Sequence, residues 1–531
     1  MKNKIINKLI LGASVFAFTM VSCVKDLDRT PFVEVTSATV YTVPANYKLI
    51  LAKLYAVLAV SGQQGPAGKP DIKGIDEGFS NYLRQYWKAQ ELTTDEAIIG
   101  WNDGTLPDYH FMTWTSSNEF VGAMYNRIYY QISLCNEFIR ESTDSKLSSR
   151  GISGTVLNDI KAFRAEARFL RALSYYHALD MFGNVPFVTE NDAVGSIFPK
   201  QTTRADLFKY VESELLAIDA DLVAARQNEY GRADKAAAWT LLAKLYLNAE
   251  VYTGQAKYTE AVANCSKVIA TGYSLEADYQ KLFLTDNNNS KEVIFPITFD
   301  GLNTKSYGGM TFLVHAPVGG SMNPALFGIN GGWSGIRTTK TFTSNFADIS
   351  GKTDRRAMFY TDGQELDIDD VFAFTNGYAI GKFKNLSSTG VKGSDPAGDF
   401  PDTDFPMFRL ADVYLMYAEA VVRGGTGGNA QTALDYVNLI RSRAYKGNTG
   451  NITSSAFNLD FLLKERAREL FWEGHRRTDL IRFGKYTDAS LLWAWKGKVK
   501  DGKAVANTFN LFPIPSSDIV ANPNLKQNAG Y

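Results

Sequence analysis

Along this chain apolar residues recur every three or four positions over long stretches, whereas strict two-residue alternation is scarce. That period lays one apolar stripe along a helix. In 160–181 the stripe is Phe163, Ala167, Leu170, Leu173 and Tyr176, and Gly183-Asn184-Val185-Pro186 ends it. Helices are further predicted over 207–222 and 233–249, paired around the Gly231 turn, and over 258–270, with Ala261, Cys265, Val268 and Ile269 on one side. Others follow at 410–422, 430–444 and 459–472, and Val293-Ile294-Phe295-Pro296-Ile297 reads as a short strand. The segments 62–78, 102–107, 301–335 and 377–405 differ in texture, being rich in Gly, Asn, Asp, Ser and aromatics. On a helical scaffold such insertions are where function is carried.

The run Ala236-Ala237-Ala238-Trp239 through Leu247 resembles a tetratricopeptide helix, in which alanines at close-contact positions let neighbouring helices approach. Long insertions break the repeat. The expected fold is mainly α: tetratricopeptide-like helix pairs forming a superhelical scaffold, with loop-rich insertions and a few short strands carrying the ligand site. A scaffold of this kind names no ligand by itself.

The first residues bear on compartment. Lys2, Lys4 and Lys8 precede an apolar run over 9–20, which ends at Val21-Ser22-Cys23. This is the order of a secretory signal, too short to span a bilayer comfortably. A cysteine directly after Val21-Ser22 resembles a bacterial lipobox, which implies a signal peptide over 1–22, acylation of Cys23 and a tether over 23–38. Val24-Lys25-Asp26-Leu27-Asp28 resembles the surface-export tag of Bacteroidetes lipoproteins and favours the outer face of the outer membrane.

Composition narrows the function. The 531 residues suffice for a large core, and 56 basic against 56 acidic residues leave no net field for nucleic acid or an anionic membrane. Aromatics make up 13%, with 27 tyrosines and 8 tryptophans, so some rings are expected at the surface. Beyond Cys23 only Cys135 and Cys265 remain; one pairing is open to them, but there is neither a disulfide framework nor a metal-binding cysteine cluster. Glu465, Arg468, Glu469, Glu473, Arg476 and Arg477 invite an acid–base reading. Arginine forks paired with carboxylates between packed helices explain them better, with His475 as a packing or hydrogen-bonding residue.

Several ordered blocks resemble the SusD/RagB family, surface lipoproteins of glycan-uptake systems. They are Phe408-Arg409-Leu410-Ala411-Asp412-Val413-Tyr414-Leu415, Glu473-Gly474-His475-Arg476-Arg477-Thr478-Asp479-Leu480, Phe512-Pro513-Ile514-Pro515 and the terminal Gln527-Asn528-Ala529-Gly530-Tyr531. The resemblance spans the chain. It implies one ligand-binding fold over 39–531, with an N-terminal part to about 280 and a C-terminal part from about 281. It also implies a partner, a SusC-like TonB-dependent transporter, to which the lipoprotein delivers oligosaccharide. Gly62-Gln63-Gln64-Gly65, Asn330-Gly331-Gly332-Trp333 and Leu492-Trp493-Ala494-Trp495 look like the starch-binding branch.

By that resemblance Trp101, Tyr307 and Trp333 form an arc of rings against an α-glucan, and Arg84 hydrogen-bonds sugar hydroxyls. A fourth ring falls at Ile99 and is missing. Asn102 or Asp103 supplies a polar contact. The chemistry suits a sugar, whose CH faces stack on rings and whose rim needs directed donors. A structural calcium is implied near Asp402, Asp404, Asp286 and Asn288, since hard cations collect oxygen ligands. No catalysis is expected. Two other readings stay open: a glycoside hydrolase, which needs paired carboxylates and finds Asp95, Glu96 and Asp103 near Trp101, and a peptide-capturing lipoprotein.

Overall fold

The computed structural model describes residues 37–195 and 198–531. The expected signal peptide over 1–22, Cys23 and the expected tether up to residue 36 lie outside the described residues. The described residues fall into two units, 37–47 and Lys48–Tyr531, of which the second is compact.

Helices dominate the second unit. Among them are α1 (Tyr82–Glu91), α2 (Glu119–Glu141), α3 (Gly154–Met181), α4 (Arg204–Ala217), α5 (Lys235–Leu247), α6 (Tyr258–Ile269), α7 (Gly309–His315), α8 (Leu410–Val422), α9 (Ala430–Ala444), α10 (Leu459–Leu470) and α11 (Arg476–Arg482). Neighbours in sequence pack as pairs: α2 on α3, α3 on α4, α5 on α6 and α8 on α9, with α6 on α8 joining the two halves of the chain. The alanines of α5 do what their size permits. Ala236, Ala237 and Ala238 are all buried, so α6 can approach closely.

The predicted helices at 410–422 and 430–444 coincide with α8 and α9. Elsewhere the ends move for local reasons. Asp234 is the cap of α5 and accepts from Ala237 N at 3.1 Å, so the helix starts at Lys235. α10 stops at Leu470, and Trp472 beyond it takes the left-handed φ of 61°. α3 begins earlier than its stripe, at Gly154.

Among the described residues, strands come as four two-stranded antiparallel pairs: β1 (Ile98–Ile99) with β5 (Ile336–Arg337), β2 (Val185–Pro186) with β3 (Gln201–Thr202), β4 (Val293–Ile297) with β8 (Phe405–Arg409), and β6 (Phe359–Tyr360) with β7 (Ala379–Ile380). The strand predicted at 293–297 is β4, buried along its length.

The charged C-terminal block is internal. Arg409 forks onto Glu473 and Glu469, at 2.6 Å to each, and reaches Glu292 at 2.8 Å. Arg356 joins Asp354, Glu465 and Glu469, and Arg466 joins Asp412 and Asp479. Nearby guanidinium groups hold the Glu469 and Asp479 carboxyls down at about 2 against the cost of burial. His475 accepts from Lys244 Nζ at 3.1 Å, and burial lowers it to about 3. These charges fix helix junctions, as expected. Cys135 and Cys265 are both buried free thiols, which closes the pairing left open by the sequence.

Candidate functional site

The β1–β5 pair builds the site. Its register sets Ile98 opposite Arg337 and Ile99 opposite Ile336, and Gly100 N continues the ladder to Gly335 O at 2.9 Å. The loops leaving each strand are thereby held side by side, and Trp101 Nε1 donates to Trp333 O at 3.1 Å. Arg337, fully buried, locks the outer loop by donating to the carbonyls of Gly335, Val371, Ala373 and Asn376. Burial of that guanidinium lowers it to about 10.

The three expected rings form one continuous row. Trp101 and Trp333 lie 6.2 Å apart between centroids at 47°, and Trp333 and Tyr307 lie 6.3 Å apart at 71°. Phe400 extends the row beneath Tyr307, at 5.9 Å. Trp101 and Trp333 are half-buried, with their edges packed, and Tyr307 is 38% exposed. Successive tilts turn the row rather than leaving it flat, which suits a curved ligand.

Trp101, Trp333, Arg84, Asn102 and Asp103 line one open cleft of about 670 Å³. Asn102 and Asp103 are exposed at its edge. Arg84 is only 8% exposed and stands at the base of the cleft, its guanidinium 4.5 Å from the Phe312 ring and 5.8 Å from Trp101. Nη1 donates to the carbonyls of Gly78 and Tyr307, at 3.3 and 3.0 Å. Arg84 therefore holds the Tyr307 loop as well as facing the cleft. Burial lowers it to about 10, opposed by Asp103 and Asp76.

Ile99, where the resemblance places a fourth ring, adds none to this row. It is a wholly buried β1 residue, paired with Ile336.

The residues expected near a calcium are engaged by donors of the protein itself. Asp286 accepts from Ser388 N and Oγ, Asp402 from Gly301 N and Ser394, and Asp404 from Tyr230 Oη and Phe299 N. Asn288 Oδ1 accepts from Asn289. Asp286, Asp402 and Asp404 thus tie together segments distant in sequence, and burial raises the Asp404 carboxyl to about 6. Among the described residues no three His, Cys, Asp or Glu side chains gather in a metal-binding group.

The hydrolase reading fails on placement. Asp95 is buried in a fork with Arg476, at 2.7 and 2.8 Å. Glu96 is buried and accepts from Trp472 N at 3.1 Å; desolvation and the neighbouring Glu91 push its carboxyl up. Of the three carboxylates, Asp103 alone lines the cleft, so no pair flanks it.

Sequence reasoning missed His315. Its ring stacks on Trp333, 4.9 Å away at 25°. Nδ1 faces Gly331 O at 2.7 Å and Nε2 faces Asp399 O at 2.9 Å. It backs the central ring and ties it to two insertions. The apolar run around it, Phe312-Leu313-Val314, gives no hint of this role.

Comparison with known proteins agrees with this architecture. The sequence profile of the SusD family matches residues 333–531, and a SusD-like profile described as "Starch-binding associating with outer membrane" matches residues 32–247. The starch-binding protein SusD of Bacteroides thetaiotaomicron is 35% identical over the whole of both chains. A SusD-like protein of Bacteroides ovatus is 23% identical, covering 94% of each chain. Among solved structures, the surface glycan-binding protein A of Bacteroides fluxus superposes with a TM-score of 0.70 at 20% identity, over 92% of this chain and 99% of that one. A laminarin-binding SusD-like protein gives 0.67 at 22%, over the same shares. With both profiles and a full-length relative in agreement, the chain belongs to the SusD family.

Proposed function

We propose that this protein binds starch-type α-glucan oligosaccharides along the Trp101–Trp333–Tyr307 row and delivers them to a TonB-dependent transporter. It binds and does not cleave. The observation that carries this reading is the row itself: three adjoining, part-exposed rings, with His315 stacked behind Trp333 and Arg84 holding the Tyr307 backbone. Sugar CH faces pack on such rings, and pre-fixed rings lose little entropy when they do. Asn102 and Asp103 stand where hydroxyls at the sugar rim need partners. The full-length likeness to a starch-binding relative supports the choice of α-glucan. Acylation at Cys23 would hold the site at the outer face of the outer membrane, beside its transporter.

Calorimetric titration of maltoheptaose into the full-length protein in detergent tests it. Trp101→Ala, Tyr307→Ala and Trp333→Ala should each weaken binding about tenfold, the loss of one stacking platform. Unchanged affinity in all three, with folding intact by circular dichroism, overturns the assignment.

A further inference from the structure

A second open groove, of about 660 Å³, shares its loops with the first site. Asn303, Thr304 and Lys305 line it, two residues before Tyr307 takes its place in the ring row. Gln63 lines it from the loop whose far end, Gly78, accepts from Arg84. Its floor is the apolar face of residues 51–60, including Leu51, Ala56 and Ala59.

Two tyrosines are set there with their hydroxyls spent inward. Tyr230 is 48% exposed, yet its hydroxyl donates to Asp404 Oδ2 at 2.6 Å, and Phe299 N holds that carboxyl from the other side at 2.8 Å. Tyr55 donates to Glu166 Oε2 at 2.6 Å and accepts from Ala233 N at 2.9 Å. Each ring is pinned at one end and has only its face to offer the groove. The polar groups are arranged the opposite way. Among the described residues the side chains of Gln63, Thr298, Asn303 and Thr304 make no hydrogen bond to the protein. Fixed rings with uncommitted amides and hydroxyls around them match the two needs of a sugar, an apolar face and a hydroxyl rim.

Charge argues for a neutral ligand. Lys48 pairs with Glu229 at 2.7 Å, Arg232 pairs with Glu166 and Glu229, and Lys305 lies over the Phe400 ring. Most of the charge at the rim is already matched.

We infer that this groove is a second subsite for a neutral carbohydrate, with sugar faces packed on Tyr230 and Tyr55 and hydroxyls met by Gln63 and Asn303. The inference rests on the reading of the first row as a glycan site. A polymer long enough to cross the loop that joins them engages both, which raises its retention without any new contact in the first site.

The test uses maltoheptaose and the full-length protein in detergent. Trp101→Ala/Trp333→Ala removes the first row and should leave a weaker binding component by calorimetry. Adding Tyr230→Ala, or Gln63→Ala/Asn303→Ala on exposed loops where folding is not at risk, should cut that component about tenfold. Tyr230→Phe, which keeps the ring, should retain it. No residual binding in the double variant, or residual binding indifferent to the groove substitutions, overturns the second subsite. So does a Tyr230→Ala protein that loses its transporter but keeps all its glycan, since the groove is then a protein contact. If the double variant loses nothing while the groove variants do, the row reading falls and the groove stands.

Discussion

Gly335 has no side chain because Trp101 occupies the place where one would be. A Cβ built there would meet Cε2 and Cζ2 of the indole at 2.6 Å. The glycine lets two loops from opposite halves of the chain touch at the ring edge, and this close approach keeps the indole face turned outward. Gly335→Ala should therefore displace Trp101 and weaken maltoheptaose binding about tenfold, with little change in thermal unfolding. Equal loss of stability and binding would mean that the glycine serves the core instead. At this scale the sequence was informative about identity and poor on setting. Trp101, Tyr307 and Trp333 were picked out by the family resemblance, and the Gly- and Asn-rich loops around the two tryptophans added only an argument for surface placement. His315 was not picked out, since a histidine in an apolar run has the same neighbours whether it fills space or backs a ring. The setting of the acidic residues was hidden for a related reason. Asp286, Asp402 and Asp404 look like free oxygen donors in sequence, yet each accepts from a backbone or hydroxyl donor about a hundred residues away.

Elements explain how residues 232 positions apart become neighbours. The two-residue β1–β5 pair aligns the loops, and Arg337 extends its hold to 371–376 through backbone carbonyls. Arg337→Met should leave those buried carbonyls unpaired. We expect a loss of about 3 kcal/mol in denaturant unfolding, since unpaired buried groups cost roughly 1–3 kcal/mol each. A variant as stable as the parent would show that water replaces the arginine. Helices were readable because eleven or more residues repeat one stripe, as in α8 and α9. A two-residue strand repeats nothing, so the device that assembles the site left no periodic trace. It exists only as a pairing between distant segments.

Over the whole molecule, buried ionisable groups set the response to pH. His110, His177 and His475 are each lowered to about 3 by burial, so the folded protein keeps them neutral. An unfolded chain protonates each near 6.5. As pH falls between those values the unfolded state takes up protons that the folded state refuses, and stability declines. The slope is up to about 1.4 kcal/mol per pH unit for each histidine. Below the usual carboxylate range Glu469 and Asp479, lowered to about 2, add to the loss. Glu91, raised to about 7 by burial, acts in the opposite sense, its penalty easing as pH falls through 7. Glu96 and Asp404, also raised by burial, act as Glu91 does, so the histidines and these carboxylates pull in opposite directions. A His110→Phe variant, which removes one histidine from the balance, should lose less of its unfolding midpoint than the parent between pH 6.5 and 4, and equal losses would mean that the His110 ring is solvated. The architecture that buries these groups is also what presents the rings: a helical body tied by internal ion pairs, with its insertions gathered at one exposed row.

That row is the central claim, and a crystal structure of the protein with bound maltoheptaose tests it most directly. We predict consecutive glucose faces on Trp101 and Trp333, with the chain curving toward Tyr307 and hydroxyls within reach of Asn102 or Asp103. A bound oligosaccharide that leaves both tryptophan faces bare would contradict the account.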